Sequence, residues 1–212
     1  MPVRWGRMGA RMDAEARSKL EQDIRTRADS GDFGDAVTIA LRGYGPEVLG
    51  YLVAIAHNES DAGDAFSLFC EDVWRGLPRF RWASSFRTWA YTLARHAHYR
   101  LSRDPERRQQ KVALADSPEL AELAVHVRTT TMLALRTAAK SKMTLLREQL
   151  EPDDRTLLVL RIDRRLSWQE IARVMAEEEP SDAEVTRAAA TLRKRFERVK
   201  ERLRKLAAEA DE

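Results

Sequence analysis

From Thr191 to Leu206 the chain is patterned as an amphipathic helix, not as a strand. Leu192, Val199 and Leu206 recur every seven residues, and Phe196 and Leu203 form a second, interleaved series. At about 3.6 residues per turn both series fall on one stripe. The other faces carry Arg193, Lys194, Arg195, Arg198, Lys200, Arg202, Arg204 and Lys205, opposed only by Glu197 and Glu201. Upstream, the stretch Ser167 to Met175 reads as a short helix opened by a capping box of Ser167 and Glu170. A short amphipathic helix followed by a strongly basic one is the pattern of a helix-turn-helix that lays its last helix in a DNA groove.

Strand alternation and paired turn signals are nearly absent elsewhere, so the chain is expected to be all-α. The patterning predicts helices at 13–29, 35–57 with a break near Gly43–Pro46, 60–76, 85–102, 118–149, 153–164, 167–177 and 182–208. Ser60, Ser85 and Ser117 are expected N-caps, Pro118 a first-turn proline, and Ser181 with Glu184 a second capping box. Residues 103–117 lack a periodic apolar face and read as a linker between two small helical domains. The expected division is an N-terminal extension at 1–30, a domain at 31–102, the linker, and a helix-turn-helix domain at 118–212. That last domain has an extended turn and a long basic final helix.

The net charge of +3 hides an uneven distribution. Acids gather near Glu59 to Asp72 and Glu177 to Glu184; bases gather near Arg79 to Lys111 and after Arg187. This asymmetry suggests one anionic and one basic partner. Cys70 is the single cysteine, so a disulfide framework and a four-cysteine zinc site are excluded; it reads as a small core residue. No stretch approaches the roughly 20 apolar residues of a membrane span. The first twelve residues have charges but no apolar signal core, and Met8 and Met12 are alternative starts. A cytoplasmic protein without membrane insertion is expected.

Two stretches of the N-terminal half carry chemistry. The helix from Ser60 to Gly76 sets Asp61, Asp64, Glu71 and Asp72 among Ala65, Leu68, Phe69 and Val73. By spacing alone this is a solvated face over an apolar one; its functional reading is a docking surface for a basic partner. From Leu77 to Arg100, Phe80, Trp82, Phe86, Trp89, Tyr91 and Tyr99 interleave with Arg79, Arg81, Arg87, Arg95 and Arg100. Aromatic faces stack on unpaired bases and arginines hold phosphates, which suits single-stranded or melting DNA. Phe80, Phe86 and Trp89 also fit a core, and for Trp89 the core is the better reading. His96 and His98, two apart on a helix, point to different faces and do not make a metal site. No nucleophile elbow, phosphate loop or carboxylate pair supports catalysis, and no cofactor is implied.

The stretch Asp61-Ala-Gly-Asp-Ala-Phe-Ser-Leu-Phe-Cys-Glu-Asp-Val-Trp-Arg75, followed by Phe80 and by Phe86-Arg-Thr-Trp-Ala-Tyr-Thr-Leu-Ala-Arg95, resembles region 2 of bacterial RNA polymerase sigma factors of the sigma-70 family. The extracytoplasmic-function (ECF) group is the nearest in pattern. Leu150 to Arg161, Leu166 to Met175 and Thr191 to Leu203 resemble region 4 of the same family. The resemblance covers about residues 44–102 and 150–206, and it lies in the combination and order of the motifs.

The resemblance implies a non-enzymatic factor that binds core RNA polymerase, directs promoter recognition and helps melt DNA. By family position, Asp61, Asp64, Phe69 and Asp72 belong to the polymerase-docking helix. Phe80, Arg81, Trp82 and Ser84 fall in the loop that captures a −10 base, and Arg87, Arg95 and Arg100 on the helix that follows the opening strand. Arg193, Lys194 and Arg195 match the −35 reading positions, with Arg187, Thr191 and Arg198 on the same helix. The implied partners are core RNA polymerase and promoter DNA, with room for an anti-sigma factor; bound to polymerase, the protein would sit on the nucleoid.

The chain departs from the family pattern in three places. Gly63 and Ser67 stand where glutamate and glutamine are usual, and His96 where asparagine is common. The usual short turn is replaced by Ala176 to Ala190, which predicts a final helix beginning near Asp182 and about two turns longer. That start would bring Arg187 and Thr191, rather than Arg195, to the groove. Two other classes compete: a stand-alone helix-turn-helix regulator, which needs a symmetric dimer and no base-stacking loop, and a protein-binding helical adaptor, which needs neither arginine-rich stretch.

Overall fold

A computed structural model of the chain describes residues 12–56, 58–104, 117–136 and 142–210. Among them every regular element is helical and no strand occurs, as the patterning requires.

Helix α1 (Ala14–Asp29) is capped by Asp13, whose carboxylate accepts from the Ala16 amide at 2.8 Å. A tight turn, with Gly31 at φ +80°, leads into α2 (Phe33–Ile55). The expected break near Gly43–Pro46 does not occur. Pro46 removes one backbone donor, at a cost of about 3 kcal/mol in a free helix, but α2 is the hub of the molecule. It packs against α1, α3, α4 and α5 and is buried along most of its length. Tertiary packing outweighs local propensity here. The two glycines are sites of close approach, not of turning. A Cβ on Gly43 would stand 2.4 Å from Leu20 of α1, and one on Gly45 would stand 2.9 Å from Val127 of α5.

Helix α3 (Glu59–Gly76) starts before Ser60, because Asn58 takes the cap and accepts from the Asp61 amide at 2.8 Å. Asparagine is a strong N-cap, and Glu59 in the first turn complements the helix dipole. A short 3₁₀ turn, Leu77–Arg79, follows α3, and α4 (Phe86–Arg103) begins at Ser85 as expected. Cys70 is fully buried, and burial pushes its thiol pKa up.

Beyond the expected linker, of which residues 105–116 lie outside the described residues, α5 (Pro118–Arg136) lies on α2 and α3 through Leu120, Ala124 and Val127. Of the helix expected over 118–149, the described parts are α5 and α6 (Lys142–Glu148); residues 137–141 lie outside them. Helix α7 (Pro152–Leu158) runs on into a π-helical turn, Val159–Asp163. Helix α8 (Trp168–Met175) and α9 (Asp182–Glu209) each open with the expected capping box. The late start of α9 agrees with the long turn in the sequence. Helix α8 packs on both α9 and α4, and α7 packs on α9. Buried residues of the two halves join in one apolar cluster from Ile24 to Val199.

Candidate nucleic-acid interface

The loop between α3 and α4 is built around an aromatic stack. Phe80 lies nearly parallel to Trp89 with ring centroids 4.5 Å apart, and 4.8 Å from Trp82. Trp82 has φ +56°, a region a bulky residue rarely adopts. Its ring faces the Arg25 guanidinium of α1 at 5.5 Å. Phe80, Trp82 and Trp89 are all half-buried, packed against the core but not enclosed by it. Arg81 is exposed and ion-paired to Glu179, and the half-buried Ser84 donates to the Ser85 carbonyl at 3.2 Å.

The start of α4 is anchored from a distance. Glu21 of α1 accepts from the Phe86 amide at 2.7 Å, the Arg87 amide at 2.9 Å and the Tyr44 hydroxyl at 2.8 Å. Ser85 caps the same helix end through the Thr88 amide at 3.1 Å. Helix N-termini favour such negative charge. Within the N-terminal extension expected at 1–30, α1 supplies this cap.

The arginines of α4 are less accessible than a surface pattern suggests. Arg87 is 5% exposed, ion-paired to Glu47 of α2, and its Nη2 donates to the Arg164 carbonyl at 2.8 Å. Burial opposes ionisation of Glu47, but the Arg87 hydrogen bond and charge and the Tyr91 hydroxyl outweigh it. The carboxyl is held below its ordinary value. Arg95 is 7% exposed and donates to Asp153 of α7 at 3.2 Å; Tyr99 donates to the same carboxylate at 2.5 Å. Burial raises the Asp153 carboxyl, but Tyr99 and Arg95 win and the net shift is downward. His96 lies 3.4 Å from the Ala176 carbonyl, and burial lowers its pKa.

On α3, Asp61 and Asp64 are half-buried at the surface. Phe69 is 1% exposed and packs on Phe66. Inside the core it supports the acidic face from beneath and cannot itself be a docking contact. Asp72 pairs with Arg100, so residues expected to face two different partners meet each other. Burial pushes the Asp72 carboxyl up, and Arg100 offsets this only in part.

On α9, Val185, Ala189, Leu192, Phe196 and Val199 are buried. Arg187, Thr191, Lys194 and Arg198 are exposed and follow one another at spacings of four, three and four, so they share a face. Arg193 is exposed elsewhere, its guanidinium 5.9 Å from the Trp168 ring. Arg195 is half-buried, donating to Asp154 at 2.6 Å with Asp153 at 3.9 Å. An open cleft of about 620 Å³ separates α4 from α9, lined by Arg95, Asp153, Met175, Glu178, Leu192 and Arg195. Glu47 could have been singled out from sequence as an acid inside the apolar run Tyr44 to Leu52. Glu21 and Asp153 carry no such local signal.

Residues 40–109 match the family model for sigma-70 region 2. The match covers 70 of the 212 residues. The matched stretch takes in most of α2, all of α3, the aromatic loop and α4. Its presence supports a transcription factor of the sigma-70 family that acts in RNA polymerase binding and promoter melting, a non-enzymatic class. Neither a search of curated proteins nor a search of solved structures found a match. Among the described residues no helix is long and apolar enough to cross a membrane, and no group of three histidine, cysteine or acidic side chains could hold a metal ion.

Proposed function

We propose that the chain is a sigma factor of the ECF group, which brings core RNA polymerase to promoters through −10 contacts in region 2 and −35 contacts in α9. The observation that carries the reading is the half-exposed aromatic stack Phe80–Trp82–Trp89 at the head of an arginine-bearing helix, inside a region 2 match. Stacking platforms beside cations suit unpaired bases. Residues 118–212 act as a region 4, with Arg187, Thr191, Lys194 and Arg198 toward the groove and the acidic turn Glu177–Asp182 turned away from phosphates. The docking surface for polymerase is the α3 face of Asp61 and Asp64. The site of action is the cytoplasm, and an anti-sigma factor is a natural inhibitor for such a protein.

Co-elution with core RNA polymerase and run-off transcription on genomic fragments test the reading. Wild type should co-elute and start transcription at discrete sites. Asp64→Lys, alone and with Asp61→Lys, should weaken co-elution while helicity by circular dichroism stays normal. Full co-elution of the doubly reversed protein would remove the docking face from the reading. Absence of any core-dependent start would remove the sigma-factor role.

A further inference from the structure

The aromatic loop ends on a cation that comes from α1, ahead of the matched residues 40–109. Glu21 and Arg25 lie one turn apart on α1 and so share a face. Glu21 is taken up by the Phe86 and Arg87 amides and the Tyr44 hydroxyl. Arg25 is exposed and stands over the Trp82 ring. The rings follow one another: Trp89 parallel to Phe80, Phe80 against Trp82, and Trp82 beneath the guanidinium. The inner end of this column is closed. Trp89 is seated on Gly76, where a Cβ would stand 2.9 Å from its Cζ2, and Phe80 meets the buried Phe86 edge-on at 6.5 Å. A further flat ring can therefore join the column at its outer end, between Trp82 and Arg25. Trp82 is held there at φ +56°, a conformation that persists in a bulky residue when its surroundings impose it, often at ligand clamps. Arg25 also pairs with Asp29 at 3.7 Å, but both side chains lie largely in solvent and the tie is weak.

We infer that Arg25 is a DNA-contacting residue: its guanidinium closes over an unpaired base that stacks on Trp82. The inference rests on the sigma-factor reading above, which supplies the unpaired −10 base. Bases stack on aromatic rings and on guanidinium planes alike. The long, solvated stem of Arg25 lets its head lift by the thickness of a base and settle on the other face. The cation–π attraction that now joins Arg25 to Trp82 is then replaced by two stacked faces, one on each side of the base. Helix α1 thus has two tasks at one loop, Glu21 fixing the start of α4 and Arg25 completing the base site.

The test uses holoenzyme assembled from the full-length protein and core polymerase. Its DNA is a fork with a single-stranded −10 element, taken from a promoter mapped by run-off transcription, and fluorescence anisotropy reads the affinity. Abasic sites walked through the element identify the position whose base matters most to wild type. Arg25→Ala should weaken the intact fork by roughly three- to tenfold, yet lose less than about twofold on the fork lacking that base. Arg25→Lys keeps the charge without the plane and should recover only part of the loss. A benzophenone crosslinker placed at position 25 should attach to the same nucleotide. Arg25 is exposed on a helix that alanine favours, so the variants should stay folded, with unchanged co-elution with core as the check. An equal loss on intact and abasic forks, or full recovery with lysine, would assign Arg25 to a phosphate and overturn the base site. Unchanged affinity of Arg25→Ala, with wild type still sensitive to the missing base, overturns the role of α1 and leaves the sigma-factor reading standing. If no abasic site weakens wild type and no core-dependent start is found, the sigma-factor reading itself fails and takes the inference with it.

Discussion

The backbone amide of Phe86 donates to the carboxylate of Glu21 at 2.7 Å, across 65 residues of sequence. This bond, with its companion to Arg87, fixes where α4 starts and hence how the aromatic loop is presented. Glu21→Ala should destabilise the protein by about 1–3 kcal/mol, because it strands helix-end donors and the Tyr44 hydroxyl. Glu21→Gln keeps an acceptor and should cost less. Urea unfolding of both variants, with Tyr44→Phe to isolate the hydroxyl, measures this. Equal stability of Glu21→Ala and wild type would show that Ser85 alone suffices as the cap.

The Glu47–Arg87 pair lies deep, its side chains 22% and 6% exposed. Glu47→Ala leaves Arg87 without its counter-ion and should cost about 3–5 kcal/mol. Adding Arg87→Met to it should cost little more, a non-additivity expected of coupled groups. The pair also sets an acid limit. The folded-state pKa of Glu47 lies below its unfolded value. Its stabilisation is therefore complete above about pH 4.3 and is lost as pH falls through the depressed value. Asp72 has the opposite sign: its carboxyl is raised, so acidification through its folded value relieves its burial. Unfolding free energies of wild type and Glu47→Gln, compared from pH 7 down to pH 3, should converge with acid. A constant gap would contradict the assignment.

Elements with a strong local code were legible in the sequence. Ser167 with Glu170 and Ser181 with Glu184 fixed two helix starts, and the interleaved apolar series fixed the buried face of α9. What escaped depends on neighbours far along the chain. Gly43 and Pro46 look like a break only until Leu20 and the surrounding helices are in place. Arg87 and Arg95 look like surface cations until Glu47 and Asp153 arrive from other helices. Phe69 sits beside acids in sequence and under them in space, because one turn of helix separates a docking face from a core. The contacts between α4 and the C-terminal half have no pattern in either partner alone.

Two glycines of α2 should respond to alanine in opposite directions. At Gly45 a Cβ would stand 2.9 Å from Cγ1 of Val127, a β-branched side chain with little rotamer freedom. Overpacking of about 1–3 kcal/mol should exceed the roughly 1 kcal/mol gained in helix propensity. At Gly34 the same Cβ meets nothing within 4 Å, so alanine should stabilise by about 0.4–1 kcal/mol. Thermal unfolding of the two variants beside wild type reads both. A stabilised Gly45→Ala would mean that α5 yields at Val127, and that the α2–α5 contact is looser than its spacing implies.

The exposed face of α9 should divide into base-reading and phosphate-holding positions. A recognition helix reads base edges with its N-terminal residues, and on this face those are Arg187 and Thr191. Lys194 and Arg198 lie one and two turns further along, where the groove wall presents phosphates. Thr191 donates to the Arg187 carbonyl at 3.2 Å, so its hydroxyl oxygen remains able to accept from a base. Arg187→Ala and Thr191→Ala should each cost about 1–3 kcal/mol on a matched −35 duplex and relax the choice of base at one position. Lys194→Ala and Arg198→Ala should weaken matched and mismatched duplexes alike and lower the salt slope by roughly one each. Arg193→Ala should alter neither, because its guanidinium is directed to the Trp168 ring away from this face. Titrations of the five variants with polymerase holoenzyme, on matched and mismatched −35 duplexes at several salt concentrations, separate the classes. A loss at Arg193 larger than at Arg187 would move the groove face toward Trp168 and align it with the family's usual, shorter turn.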